Sequence, residues 1–415
     1  MDNSKSEGNL KPNPLLPPGE DARGADEGVE NRKKILLVTR PIAPPWDEAS
    51  KNFAFTLAKN LPDFEFTLLT HGKIGGLPEN VRREPIYTAN NFSTLQKLRL
   101  LKYLKRLKKN DFDILHFLFT PTKLNTFLNR KIISKLQAKT IQTIATLRED
   151  LYSDAEIKKL MFADRIVTYS KYAKDKLNDL ALNNAKQVYP GIDLDLYKPE
   201  PKDKGFIENL KLNIADFIVT YPGEFTRLGA TDDIVDLIQK YSNLLNEKKI
   251  KIIFACRVKN EKDRQKKKEI EKILAEKGLA DLVRLPDTFT TMEKVFNLSD
   301  AVIFPVRDMK GKFDVPLAVI EAMACGKPVI ISDLPILREF TDDQNSVIIK
   351  SGDRAQLMDA ISNLYGQKAK REEIGKNARE FIAENFDIKK VAMRYGEIYK
   401  NLNEVRPPCL TDKRA

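Results

Sequence analysis

Phe313-Asp314-Val315-Pro316-Leu317-Ala318-Val319-Ile320-Glu321-Ala322-Met323-Ala324-Cys325-Gly326-Lys327-Pro328-Val329-Ile330-Ile331-Ser332-Asp333 reads as a short helix feeding a buried strand. Pro316 suits a first helical turn, where a missing N–H costs nothing, and Gly326 with Pro328 just beyond it is a helix stop. Between them every residue from Leu317 to Cys325 is apolar except Glu321. Such a helix is buried on nearly all sides, and a lone carboxylate on it needs a partner.

The flanking chain repeats this alternation. Residues 1–31 are rich in Pro, Gly, Asn and acids without aliphatic periodicity and are expected to form a disordered leader. Lys34-Ile35-Leu36-Leu37-Val38-Thr39 is an apolar strand, followed by a turn through Pro44, Pro45 and Trp46 and a helical pattern over 51–60. Strand signals recur at 64–70, 113–119, 140–146 and 165–169, predicting a doubly wound parallel sheet over residues 32–200. The pattern breaks at Val188-Tyr189-Pro190-Gly191-Ile192-Asp193, and Lys198-Pro199-Glu200-Pro201-Lys202-Asp203-Lys204-Gly205 reads as a linker.

A second alternation over 206–385 has strands at 217–221, 250–255, 282–285, 301–305, 328–332 and 346–349. Helices lie between them at 232–248, 264–277, 291–298 and 317–325. The predicted architecture is α/β, with two facing Rossmann-like doubly wound domains and a ligand cleft at the carboxyl ends of the strands. Residues 386–405 are expected to form a C-terminal helix that packs back on the N-terminal domain, and 406–415 a tail.

A chain of 415 residues that is 42% hydrophobic has ample material for more than one core, and its net charge of +12 favours anionic partners. Cys256, Cys325 and Cys409 are too scattered for a disulfide framework or a zinc site, and His71 and His116 are the only histidines, so no metal is expected. His116, among Leu115, Phe117 and Leu118, reads as a structural histidine. No run approaches the roughly 18 apolar residues of a membrane span, and the start lacks a signal-peptide pattern, so the expected location is cytoplasmic.

Residues 95–109 place Leu100, Leu101, Tyr103, Leu104 and Leu107 on one side of a helix and Arg99, Lys102, Lys105, Arg106 and Lys109 largely opposite. That helix either rests on an anionic bilayer, peripherally at the inner membrane face, or packs its leucines on the sheet. The lysines of 265–268 lack interleaved aromatics and read as a solvated face, so no nucleic-acid partner is expected.

Five stretches in order, 34–57, Asp113-Ile114-Leu115-His116, Ala163-Asp164-Arg165-Ile166-Val167-Thr168-Tyr169-Ser170, Val188 to Asp193 and 315–333, resemble a known family. It is the large group of retaining, nucleotide-sugar-dependent glycosyltransferases with the GT-B fold, of the group 1 or family 4 type. The resemblance implies transfer of a sugar from a nucleoside diphosphate to a hydroxyl of a glycan or lipid-linked acceptor, with retention and with neither metal nor other cofactor. In that family a helix like the one at 317–325 points its start at the donor diphosphate and its glutamate binds the ribose. The resemblance therefore puts Val315, Pro316 and Leu317 at the diphosphate and Glu321 at the ribose, which suits a helix dipole and a carboxylate. The alternative is a buried glutamate paired with a lysine or arginine for structure.

The departures bear on chemistry. The family's second glutamate, near the sugar, falls at Phe313, with Asp314 beside it as a catalytic candidate. Its arginine and lysine for the donor phosphates fall at Glu224 and near Leu228. The turn after Gly223 keeps Arg227, a candidate diphosphate clamp and catalytic group, and Arg257 and Arg307 follow neighbouring strands on the donor side. The family's N-terminal glycine-rich loop is replaced by Trp46, Asp47, Glu48 and Ser50, which are either acceptor contacts or a helix cap with Trp46 in the core. The family's cleft histidine is missing from Thr146-Leu147-Arg148-Glu149-Asp150, where Arg148 either meets phosphate or acceptor or belongs to a capped turn. These departures keep open a non-catalytic sugar-nucleotide or partner-binding protein on the same fold, and less readily a sugar-nucleotide epimerase.

Overall fold

β1 (Lys34–Ile42) buries Ile35 to Thr39 without alternation, as a central parallel strand covered on both faces does. The computed structural model describes residues 32–44, 49–72 and 74–402. After β1 come α1 (Ala49–Lys59), β2 (Glu65–His71), β3 (Val81–Tyr87), α2 (Thr94–Arg106), β4 (Ile114–Phe117), α3 (Lys123–Ile133) and β5 (Lys139–Ile144). The first half closes with α4 (Asp154–Leu160), β6 (Arg165–Thr168), α5 (Lys171–Asp179) and β7 (Ala185–Gln187). Among the described residues these strands form one parallel sheet in the order β3-β2-β1-β4-β5-β6-β7.

The second half begins with α6 (Lys204–Asn209), β8 (Phe217–Tyr221), α7 (Ala230–Lys240), α8 (Ser242–Glu247), β9 (Ile250–Phe254) and α9 (Glu261–Glu276). It continues through β10 (Val283–Arg284), α10 (Met292–Leu298), β11 (Ala301–Phe304), α11 (Leu317–Ala324), β12 (Val329–Ser332) and β13 (Val347–Ile349). This parallel sheet runs β10-β9-β8-β11-β12-β13. Chain direction therefore switches sides between β1 and β4 in one sheet and between β8 and β11 in the other, the two places where such sheets open a crevice.

The predicted two-domain α/β architecture is present, with differences of detail. β3 was not expected: Arg82, Arg83, Glu84 and Pro85 make it polar, and it survives because it is an edge strand paired on one side. The helix expected over 232–248 is broken at Tyr241 into α7 and α8. His71 ends β2.

α12 (Arg354–Gly366), α13 (Lys368–Asn385) and α14 (Ile388–Lys400) end the described chain. α14 sends Val391, Tyr395 and Tyr399 into an apolar cluster with Leu57 and Phe64 of the first domain. His116 is buried there, bonded through Nδ1 to the Tyr399 hydroxyl and through Nε2 to Thr143 Oγ1, each at 2.7 Å, and stacked on Tyr395. Burial pushes its pKa down to about 3, so it is a neutral structural histidine. The linker crosses the start of α14 at Gly191, where a Cβ would lie 2.9 Å from the Ile388 Cα, so only glycine fits.

α11 ends as its sequence predicts. Gly326 takes φ +68°, its N–H bonds Met323 O at 2.9 Å, and Lys327 N–H bonds Ala322 O at 3.1 Å, a two-bond helix stop. Pro316 stands just outside the helix as its N-cap. α2 buries Leu100 and Leu104 against the sheet and leaves Leu95 and Leu98 more than half exposed.

Candidate active site

A cavity of about 470 Å³ lies at the carboxyl ends of both sheets. Arg40, Ser50, Thr143 and Tyr169 line it from the first domain, and Gly223, Arg227, Arg257, Lys259, Lys312 and the start of α11 from the second. Among the described lining residues none is acidic, and five are cationic.

Three of those cations converge on one carboxylate. Glu224 is almost wholly buried. Its Oε2 accepts from Arg227 Nε at 2.5 Å, and its Oε1 accepts from Arg227 Nη2 at 2.8 Å, Lys259 Nζ at 2.5 Å and Lys312 Nζ at 2.6 Å. Burial alone would raise the Glu224 pKa, but the three hydrogen-bonded cations outweigh it and hold the group well below the usual carboxylate range. Burial in turn holds Lys312 below the usual lysine range, even beside Glu224.

Local sequence builds this turn. A Cβ on Gly223 would sit 1.9 Å from the Tyr221 ring, so glycine is required for the chain to fold back over that buried tyrosine. Glu224 O accepts from Thr231 Oγ1 at 2.8 Å, and Asp263 joins Thr226 Oγ1 at 2.8 Å to Lys259 N at 3.1 Å, tying the two strand-end loops together. Leu228 then takes φ +73° ahead of Gly229, a left-handed step that turns the backbone into α7. Pro316, Leu317 and Ala318 place the start of α11 in the same wall, where unpaired helical N–H groups and the dipole favour an anion.

Residues 216–367 match the glycosyl transferases group 1 family. An uncharacterised glycosyltransferase of Methanocaldococcus jannaschii is 24% identical over 369 residues, covering 84% of this chain and 93% of its own. The D-inositol 3-phosphate glycosyltransferase of Paenarthrobacter aurescens is 25% identical over 215 residues, and the chain spans 50% of that relative's length. The fold matches Anabaena HepE, solved with UDP and glucose, at a TM-score of 0.71 and 17% identity, covering 89% of this chain and 100% of that one. It matches the sucrose-phosphate synthase of Thermosynechococcus elongatus at 0.71 and 18% identity, covering 90% and 100%. Residues 216–367 thus carry a group 1 glycosyl transferase region, and the chain as a whole has the GT-B fold.

The structure places the sequence-derived candidates unevenly. Arg227, Arg257, Gly223, Ser50, Pro316 and Leu317 all line the cavity. Arg307 does not: both arms of its guanidinium are spent on Asp233 of α7, at 2.8 and 2.7 Å, which makes it a structural cation. Val315 is also outside, its side chain buried in the second domain's core. Asp314 turns away from the cavity, where Ser170 Oγ donates to its Oδ2 at 2.5 Å. Arg148 is paired in both arms with Asp150 at 2.8 Å and heads a turn whose Leu151 N–H returns to Arg148 O at 2.9 Å, the capped-turn alternative. Trp46, Asp47 and Glu48 lie outside the described residues.

Glu321 is not in the cavity lining, nor, among the described residues, does it pair with lysine or arginine. Its carboxyl is enclosed although part of the residue's surface is open, and burial raises its pKa to about 7 against the hydrogen bond from the Tyr197 hydroxyl. Arg379 pins Tyr197 O at 2.8 Å and Ala324 O at 2.9 Å, so the linker is fastened to α11. Lys259 and Lys312 were missed. The signal that selected Arg257, a cation just past a strand end, applies equally to Lys259, whereas Lys312 is recruited by folding alone.

Among the described residues no helix is long and apolar enough to cross a membrane, and no group of three or more His, Cys, Asp or Glu is placed to hold a metal ion.

Proposed function

We propose that this protein is a glycosyltransferase that moves a sugar from a nucleoside diphosphate donor to a hydroxyl of a glycan or lipid-linked acceptor, with retention. The observation that carries the reading is the set of Arg227, Lys259 and Lys312 gathered on Glu224 beside the start of α11. A departing diphosphate needs preplaced positive charge where its own charge develops, and these groups supply it at the carboxyl ends of the strands. Arg227 can meet two phosphate oxygens at once, and the lysines act as point charges. Retention is supported by a described lining without a carboxylate, because a released phosphate oxygen can then take the acceptor proton on the donor's own face.

We assign Glu321 to the ribose, since it lies one turn beyond Leu317 and Ala318 and has no cationic partner among the described residues. Ser50 and Arg40, on the first-domain side, are assigned to the acceptor. The peripheral membrane reading rests on α2, whose exposed Leu95 and Leu98 stand among exposed Lys97, Arg99 and Lys102. Cosedimentation with anionic but not neutral vesicles, lost in Leu95→Ser/Leu98→Ser, tests it.

The main test is calorimetric titration with UDP, GDP and dTDP, followed by donor turnover. Lys312→Met is expected to weaken nucleoside diphosphate binding by about tenfold or more, the scale of one charge-assisted hydrogen bond. Unchanged affinity in both Lys312→Met and Arg227→Met would refute the clamp. Donor binding without transfer or hydrolysis would favour a non-catalytic binding protein.

A further inference from the structure

The cavity has two chemically different walls. One is the cation cluster with the start of α11. The other is made by Phe313, Tyr169, Phe119 and Leu118, which carry no charge. Phe313 meets Tyr169 edge to face, with centroids 6.2 Å apart at 76°, and Phe119 meets the buried Phe117 in the same way at 5.9 Å and 88°. These rings are wedged against neighbours, so the wall is fixed in shape rather than assembled by a ligand. Phe313 follows Lys312 directly in the chain, and both line the cavity, so the apolar wall adjoins the cation cluster.

We propose that this wall selects a donor sugar presenting a methyl group, as a 6-deoxyhexose or an N-acetylhexosamine does, with Phe313 as the specificity-determining residue. This rests on the nucleotide-sugar reading above. A hydroxyl pressed on the Phe313 edge loses its water, and the Tyr169 hydroxyl is the one polar group among the side chains named for that wall, whereas a methyl group there loses only unfavourable hydration. Ser50, Thr120, Thr143 and Tyr169 bear the uncharged hydroxyls of the described lining. Thr143 Oγ1 is already engaged by His116 at 2.7 Å and Tyr395 at 3.1 Å, so it has little left to offer a ring hydroxyl.

The test uses the full chain and matched donors: each hexose on UDP, GDP and dTDP, beside its own 6-deoxy and N-acetyl counterparts. Affinities are measured by calorimetry and divided by that of the bare diphosphate. The expected result is a preference of about tenfold or more for one methyl-bearing member, and which arm shows it tells deoxy from acetyl. Phe313→Ser is expected to erase the preference, and Phe313→Tyr, which keeps the ring and adds one hydroxyl, to narrow it. Equal or tighter binding of the fully hydroxylated donors overturns the proposal, as does a preference that survives both variants. Binding of bare diphosphates with no sugar preference sinks this inference alone, whereas absence of any nucleotide binding sinks the donor reading as well.

Discussion

Asp314→Asn is the substitution whose outcome can be worked furthest. Asp314 belongs to the loop that carries Lys312 and Phe313 into the cavity, yet it faces the other domain. Its N–H donates to Ala145 O at 3.0 Å, and its carboxylate accepts from Ser170 Oγ, which itself accepts from Ala173 N at 3.0 Å at the start of α5. Burial raises its pKa from 3.8 to about 6. The bonds from Ser170 and Thr146 offset this in part, while Glu339 and Glu149 add to it. Tyr172, whose hydroxyl donates to Glu149 at 2.7 Å, also faces the group.

An acid with a raised folded-state pKa keeps its proton longer folded than unfolded, so folding stability falls as pH rises through the window from 3.8 to about 6. The full cost above that window is about 3 kcal/mol, and between about pH 4.5 and about pH 7.5 the contribution changes by about 2 kcal/mol. Asparagine keeps an acceptor for Ser170 and does not titrate. The stability of Asp314→Asn relative to the parent, from urea unfolding, should therefore rise by about 2 kcal/mol from the lower to the higher pH, whatever its absolute value. A difference that is flat with pH, or that falls, would refute the burial of this charge between the domains.

Three further outcomes follow from named contacts. With Glu321 raised to about 7 and ribose hydroxyls favouring its charged form, binding of a nucleoside diphosphate sugar near pH 7 should release about half a proton more in the parent than in Glu321→Gln. Calorimetry in buffers of different ionisation enthalpy reads this, and equal release in both would remove Glu321 from the ribose. Gly223→Ala should destabilise by about 1–3 kcal/mol and weaken diphosphate binding, because its Cβ would lie within the Tyr221 ring. Gly191→Ala should lower the unfolding midpoint without altering diphosphate affinity, since its Cβ meets only the start of α14, and unchanged stability would contradict that crossing.

Much of the fold was legible because buried parallel strands are continuous apolar runs, and Val302 to Phe304, Val329 to Ile331 and Ile35 to Val38 announce themselves. β3 did not, because an edge strand tolerates the charges and proline that disguise it. Part of the site was legible by position alone: a cation just after a strand's carboxyl end faces the crevice, and Arg227 and Arg257 do so. The same reasoning failed for Arg307, because Asp233 of α7, distant in sequence, captures it across the switch between β8 and β11. Asp314, a candidate because it stands beside the position of the family's second glutamate, turns to the interface because chain direction at a loop residue decides between cavity and interface, and no periodicity encodes that direction.

Glu224 shows why residue type at a single position is a poor guide to charge in a folded site. Read alone, an acid where a donor-phosphate base is expected repels the ligand. Once buried, however, that acid cannot stand without cations, and it draws in Arg227 from its own turn, Lys259 from the loop after β9 and Lys312 from the loop after β11. The local sum remains positive and faces the cavity. Long side chains that would otherwise wander in water are fixed at one point before any ligand arrives, so less ordering is left for the binding step. The carboxylate lowers the attraction that each cation offers a phosphate and raises the precision with which three of them offer it together. For a reaction whose charge develops at a departing phosphate oxygen, placement of that kind is what lowers a barrier.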